Sequence, residues 1–152
     1  MREIPMDRAA ALIARQLPAG AFLCVGGESP NVMTVGWGGL AYYWKKHVFV
    51  APVRRQRHTF PLLEGVGGFT ISIPAGGQMA DALAKAGTLS GRDGDKFQAM
   101  DLPVFPAHRL NAPCVAGCAI YLECRVLAKN AFVEADTAPE VLEAAYPARD
   151  FH

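Results

Sequence analysis

The sequence carries almost no net charge: fifteen lysines and arginines face fourteen aspartates and glutamates, leaving +1 at neutral pH with histidines uncharged. A global field able to gather nucleic acid or another polyanion is therefore absent, and any anion site has to be local. Long apolar runs are also missing, so no stretch qualifies as a membrane span. At the N-terminus Arg2, Glu3, Asp7, Arg8 and Arg15 interrupt the alanines, which excludes a secretory signal core; the expectation is a cytoplasmic protein. Only four cysteines occur, Cys24, Cys114, Cys118 and Cys124. In a reducing compartment a chain of this size has no need of disulfide staples.

Signatures of several chemistries are lacking as well. The Gly-x-Ser-x-Gly elbow is absent, as are paired carboxylates in an apolar setting. The segment Gly87-Thr88-Leu89-Ser90-Gly91-Arg92 lacks the Gly-Lys-Ser/Thr ending of a phosphate-binding loop for nucleoside triphosphates. No histidine stands at zinc-finger spacing from Cys114 and Cys118. On a single strand Cys118 and Cys124 would sit on one face about 20 Å apart, too far to share a metal or a disulfide. The cysteines thus read as core packing, and no metal site is expected.

What the chain does have, in its 152 residues, is a hydrophobic fraction of 51%. That suits one domain with a substantial core, and the apolar surplus points to a subunit interface. Runs at Ala21–Val25, Asn31–Trp37, His47–Val53, Phe69–Pro74 and Ala119–Ala128 are rich in β-branched and aromatic residues and read as strands. Asp7 is expected to cap a first helix carrying Ala9, Leu12, Ile13 and Leu17, closed by Pro18 and Gly20. Further short helices are predicted at Thr59–Glu64, at Gln78–Ala86 stopped by Gly87, at Asp93–Met100 and at Pro139–Ala145. Val104–Pro113, with two prolines and a third just before it at Pro103, reads as an extended surface crossing. Many short strands with few helices predict a mainly β fold of barrel type.

Gly36-Trp37-Gly38-Gly39-Leu40-Ala41 follows a strand and imitates the dinucleotide fingerprint, but no room exists before His47 for a crossover helix, and Tyr42-Tyr43-Trp44 favours sheet. These glycines read instead as backbone that something flat must approach closely. Two segments suit an anion. Arg54, Arg55, Arg57 and His58 precede a helix start that Thr59 would cap, where free N–H groups and arginine forks converge on a phosphate; the alternative is a solvated basic turn. Thr88, Ser90, Gly91, Arg92 and Lys96 form a hydroxyl- and glycine-rich loop able to wrap an anion, with Asp93 read as the cap of the next helix.

Taken together, Asn31-Val32-Met33-Thr34-Val35-Gly36-Trp37-Gly38, Val53-Arg54 with Arg57 and Thr59, Phe69-Thr70-Ile71-Ser72-Ile73-Pro74, Gly87-Thr88 with Ser90-Gly91-Arg92 and Asp95-Lys96-Phe97, Ala112-Pro113 and Leu122-Glu123-Cys124 resemble the flavin reductase-like, FMN-binding split-barrel family of flavoredoxin type. Tyr146-Pro147 and Asp150-Phe151-His152 echo a family segment too. The resemblance implies a mainly β, six-stranded Greek-key split β-barrel with short flanking helices, assembled as a homodimer with FMN near the interface. It implies cofactor contacts from Met33, Thr34, Val35, Gly36 and Trp37 at the flavin ring. Val53, Arg54, Arg57, His58 and Thr59 would serve the phosphate end, and Gly87, Thr88, Ser90, Gly91 and Lys96 would close over it. No catalytic side chain is required, because the flavin itself accepts and donates hydride.

The electron source implied is NAD(P)H as co-substrate or a redox protein. Tyr42, Tyr43 and Trp44 would stack on a nicotinamide or fill the dimer interface. Two departures stand out. Arg55 and His58 replace residues that are more often small or aromatic, and the family's strand after Asp-aromatic-His is expected to be missing here, since the sequence stops at His152. A non-enzymatic flavin or haem carrier on the same barrel is the rival reading. A nucleic-acid-binding barrel is disfavoured by the near-zero charge.

Overall fold

The computed structural model describes residues 3–152; Met1 and Arg2, part of the charged N-terminal stretch, lie outside the described residues. The chain runs α1 (Met6–Gln16), β1 (Ala21–Val25), β2 (Asn31–Val35), β3 (Gly39–Tyr43), β4 (Lys46–Val50), α2 (Thr59–Gly65), β5 (Gly68–Ile73), α3 (Ala80–Thr88), α4 (Lys96–Ala99), β6 (Val104–Pro106), β7 (Pro113–Val115), β8 (Ile120–Arg125) and α5 (Pro139–Ala145). The fold is mainly β. One antiparallel sheet runs β2-β1-β5-β8, and β3-β4 and β6-β7 form two further pairs. Among the described residues these ladders do not close into a ring, so the six-stranded barrel expected from the sequence is not drawn by its hydrogen bonds.

Strand β1 is buried along its whole length, which explains why Ala21-Phe22-Leu23-Cys24-Val25 lacks polar alternation. Its side chains divide between two cores by their period of two. Ala21, Leu23 and Val25 join Ile71, Ile73, Met33 and Val35 beneath α1, whose Ala9 and Ile13, with Leu17 just past its end, recur at helical spacing. Phe22 and Cys24 face Val32, Leu83, Ala86, Leu102 and Val115 on the other side. Two buried hydroxyls fasten β7 to this second face: Thr70 Oγ1 donates to Pro113 O at 2.5 Å, and Ser72 Oγ accepts from Val115 N at 3.0 Å.

Several boundaries differ from the sequence reading for local reasons. Asp7 lies within the first turn of α1, and Pro5 occupies the cap position. Helix α3 runs through Gly87 to Thr88 instead of stopping at it. The helix foreseen from Asp93 begins at Lys96, and Asp95 caps it by accepting from Phe97 N at 2.8 Å and Gln98 N at 3.3 Å. Strand β2 ends at Val35, leaving Gly36 and Trp37 outside, and β4 ends at Val50 with Val53 in the loop beyond. The crossing foreseen at Val104–Pro113 starts as β6 and ends on the first residue of β7, and the two strands pair with each other. Cys118 precedes β8, so it shares no strand with Cys124.

Gly38 needs its lack of a side chain for an intramolecular reason: at φ 105° a Cβ there would lie 2.0 Å from Val50 O. The flat object approaching this glycine is the chain's own backbone, which corrects the sequence reading. All four cysteines are free. Burial pushes the Cys118 and Cys124 thiols up to about 12 and raises Cys24 and Cys114 as well.

Candidate functional site

The two basic segments meet. Gln56 to Thr59, at the entry to α2, face Thr88 to Arg92, at and beyond the end of α3, across a cavity of about 200 Å³ also lined by Asn31 and Met33 of β2 and Lys96 of α4. Asn31 and Met33 point the same way because they are two residues apart on a strand. Thr59 is not the helix cap the sequence suggested. His58 holds that position without a side-chain cap bond, while Thr59 is buried and its Oγ1 accepts from Asn31 Nδ2 at 2.9 Å. This bond, worth about 1 kcal/mol for a buried pair, joins β2 to α2 beneath the cavity.

Three cations line the cavity, Arg57, Arg92 and Lys96, and no carboxylate does. Each is anchored by one bond to a main-chain carbonyl: Arg57 Nη1 to Gly87 O at 2.7 Å, Arg92 Nη2 to Gln56 O at 3.1 Å, and Lys96 Nζ to Ala86 O at 2.6 Å. An arginine offers five N–H donors and an ammonium three, so capacity remains for an anion. Burial lowers Lys96 to about 8, with the charge of Arg57 adding to the shift. Both causes disfavour the proton: burial strips water from the ammonium, and the Arg57 guanidinium repels it.

Gly91 fits tightly between walls: a Cβ there would lie 2.5 Å from both Asn31 Oδ1 and His58 Cδ2. The loop backbone can approach β2 this closely only at glycine. Ser90 Oγ accepts from Arg92 N at 3.2 Å, shaping the turn, and Thr88 Oγ1 bonds back to Ala84 O at 3.0 Å. Met33, Arg57, His58, Thr59, Thr88, Ser90, Gly91 and Lys96 are therefore brought together as the sequence suggested.

Other candidates stand apart from the cavity. Thr34 points to the opposite side of β2, where its Oγ1 donates to Leu83 O at 2.5 Å. Val35 and Val53 belong to the first core. Gly87 contributes its carbonyl to Arg57 and does not line the space. Gly36 and Trp37 lie beyond the end of β2, and Trp37 is half exposed. Arg54 departs furthest from expectation. Its Nη1 meets Asp150 Oδ2 at 2.5 Å, its Nη2 donates to Ala145 O at 2.8 Å, and its guanidinium lies 5.5 Å from the Trp37 ring and 5.4 Å from that of Tyr146. Arg54 is thus committed to the end of α5 and the segment after it. Around it Tyr146 Oη and His152 Nδ1 are 2.6 Å apart, and burial lowers the His152 pKa, with the charge of Arg54 contributing.

Sequence reasoning passed over Asn31 and Gln56 as site residues and placed Arg92 in the anion-wrapping loop without naming it a cofactor contact, although all three line the cavity. The signal for Asn31 was available: it stands two residues before Met33 on the same strand, so one face carries both. Gln56 had no signal beyond its place between arginines. Among the described residues no three His, Cys, Asp or Glu side chains are placed to share a metal ion.

The sequence and the mainly β fold match a known class. The model of the flavin reductase like domain covers residues 14–141. The chain belongs to the flavin reductase-like domain family. It is 35% identical over 124 residues to the uncharacterized protein YddH of Escherichia coli K12, covering 80% of this chain and 65% of that one. Among solved structures it resembles flavoredoxin of Desulfovibrio vulgaris (Miyazaki F), with a TM-score of 0.66, 24% identity and coverage of 73% and 61%. It also resembles an FMN-binding protein from Thermus thermophilus with bound 1-cyclohex-2-enone, with a TM-score of 0.64, 26% identity and coverage of 77% and 62%. The chain spans 62% and 65% of the length of two curated relatives it matches.

Proposed function

We propose that this chain binds FMN, with the phosphate seated between Arg57, Arg92 and Lys96, and serves as a flavin reductase- or flavoredoxin-type oxidoreductase. The observation carrying this reading is the convergence of two basic segments, more than thirty residues apart in sequence, on a cavity that three cations and no carboxylate line. Size supports it. About 200 Å³ is smaller than the roughly 300–1,000 Å³ of a pocket that encloses a drug-sized ligand, so the cavity suits the phosphate end and leaves the ring to extend beyond it.

When bound, the flavin supplies the two-electron chemistry, taking hydride and passing electrons onward. The chain's residues bind and orient. Arg57 and Arg92 present guanidinium forks to phosphate oxygens, Lys96 adds an ammonium that a bound phosphate would help to keep protonated, and Ser90 and Gly91 hold the loop close. Strand β2 is the outer strand of its sheet among the described residues, so main-chain groups along Met33–Trp37 are available to the ring's polar edge. His58 and Thr59 complete the wall. In this reading the hairpin β3-β4 finishes a six-stranded Greek-key split barrel, and its exposed Tyr42, Tyr43 and Trp44 meet a second subunit or a nicotinamide. The electron source is NAD(P)H or a redox protein, and the setting is the cytoplasm.

The test is the visible spectrum of the purified protein, followed by thermal unfolding with added FMN. Flavin absorbance is expected, with a stabilisation of about 2.7 kcal/mol at a hundredfold excess over Kd. Colourless protein that FMN does not stabilise overturns the proposal. Oxidation of NADH or NADPH by the loaded protein then separates an enzyme from a carrier, since a carrier holds the flavin without turnover.

A further inference from the structure

The turn that presents Arg57 is held from behind. Arg57 N donates to Arg54 O at 2.9 Å, closing the turn, and the segment after α5 grips its outer side. Asp150 Oδ2 accepts from Arg54 Nη1 at 2.5 Å and also from Gln56 Nε2. Ala145 O accepts from Arg54 Nη2 at 2.8 Å, and Phe151 O from Arg55 N at 3.2 Å. Gln56 in turn lines the cavity, and its carbonyl receives Arg92 Nη2. A single carboxylate oxygen therefore gathers residues 54 and 56, and residue 56 anchors a second arginine of the site.

We propose that Asp150 is a positioning residue for the anion site: it fixes the turn Arg54–Arg57, and through Gln56 the Arg92 guanidinium, while being absent from the cavity lining itself. The hydrogen bond from Arg54 holds the Asp150 carboxyl below the usual carboxylate range, so it is ionised at neutral pH. This makes the sign of its effect informative. By charge alone a carboxylate beside an anion site weakens anion binding, so its removal would tighten binding. A positioning role demands the reverse, because Arg54 and Gln56 lose their shared acceptor and the turn loosens.

The inference rests on the flavin-phosphate reading only for the identity of the ligand. Asp150→Ala and Asp150→Asn in the full chain carry two readouts. The first is amide hydrogen exchange in the ligand-free protein. Exchange at Arg57 N is expected to quicken about tenfold in Asp150→Ala and less in Asp150→Asn, which keeps an acceptor oxygen, with β1 and β5 unchanged. The second is affinity for FMN against riboflavin, which lacks the phosphate. The Kd for FMN is expected to rise about tenfold while that for riboflavin stays as it was. Unchanged exchange at Arg57, or FMN bound as tightly or more tightly by Asp150→Ala, overturns the proposal. If β1 and β5 also lose protection in Asp150→Ala, Asp150→Asn decides by the same two measurements. Wild-type protein that fails to prefer FMN over riboflavin defeats the flavin-phosphate reading, while exchange at Arg57 still rules on Asp150.

Discussion

Lys96 is buried beside a second cation with only a carbonyl for company, and its pKa is lowered from 10.5 to about 8. The unfolded chain keeps this proton to higher pH, so between about 8 and 10.5 the unfolded state binds more protons. The contribution of this group to stability accordingly rises with pH across that window. A bound phosphate acts with the opposite sign, since it attracts the ammonium. FMN affinity is expected to be full below pH about 8 and to fall as pH climbs through it. Titration of Kd between about pH 7 and 9 checks this, and Lys96→Met should flatten the profile and weaken FMN by about tenfold. A wild-type profile with no slope would show that the ammonium makes no contact with the anion. The sequence made Lys96 visible through its place in a hydroxyl- and glycine-rich loop. It could not separate Arg57 from Arg54, because two neighbouring arginines in one turn look alike until Asp150, far away in the chain, claims one of them.

Among the elements, the hairpin β3-β4 carries the clearest local strain. Its two-residue loop is Trp44-Lys45, with φ of 51° and 57°, both in the left-handed region. Hairpin loops of this geometry favour Asn-Gly, and large side chains there cost about 1 kcal/mol or more. Trp44 is 64% exposed, so little burial offsets the cost within the subunit. Replacing the pair by Asn-Gly is expected to raise the urea midpoint by the equivalent of about 1 kcal/mol. A lower midpoint instead would mean that Trp44 is packed against a partner surface. Element type was mostly legible because periodicity and breakers are local. Ala21–Val25 and Pro139–Ala145 were read to the residue. What escaped were features decided by tertiary contact: β6 and β7 are short and proline-rich, and β7 is fastened by the buried hydroxyls of β5. Helix α3 tolerates Gly87 in its last turn, where that residue's carbonyl receives Arg57.

For the molecule as a whole, the central sheet has a core on each face, and the cavity lies where the edge strand β2 meets the loops around α2 and α3. That placement follows from β2 being outermost, which no single segment of sequence displays. The order of motifs along the chain was enough to identify the family, because it records which loops meet without saying how. The uniformly elevated thiols have a practical outcome at this scale. With Cys118 and Cys124 pushed up to about 12, their reactive thiolate is scarcer by roughly a thousandfold than at an ordinary cysteine. Native protein treated with iodoacetamide near neutral pH should remain almost unlabelled, whereas the urea-unfolded chain should alkylate readily; rapid native labelling would contradict this. Sulfur so passivated resists sulfenic acid formation, so the thiols are expected to stay reduced when the folded protein meets mild peroxide.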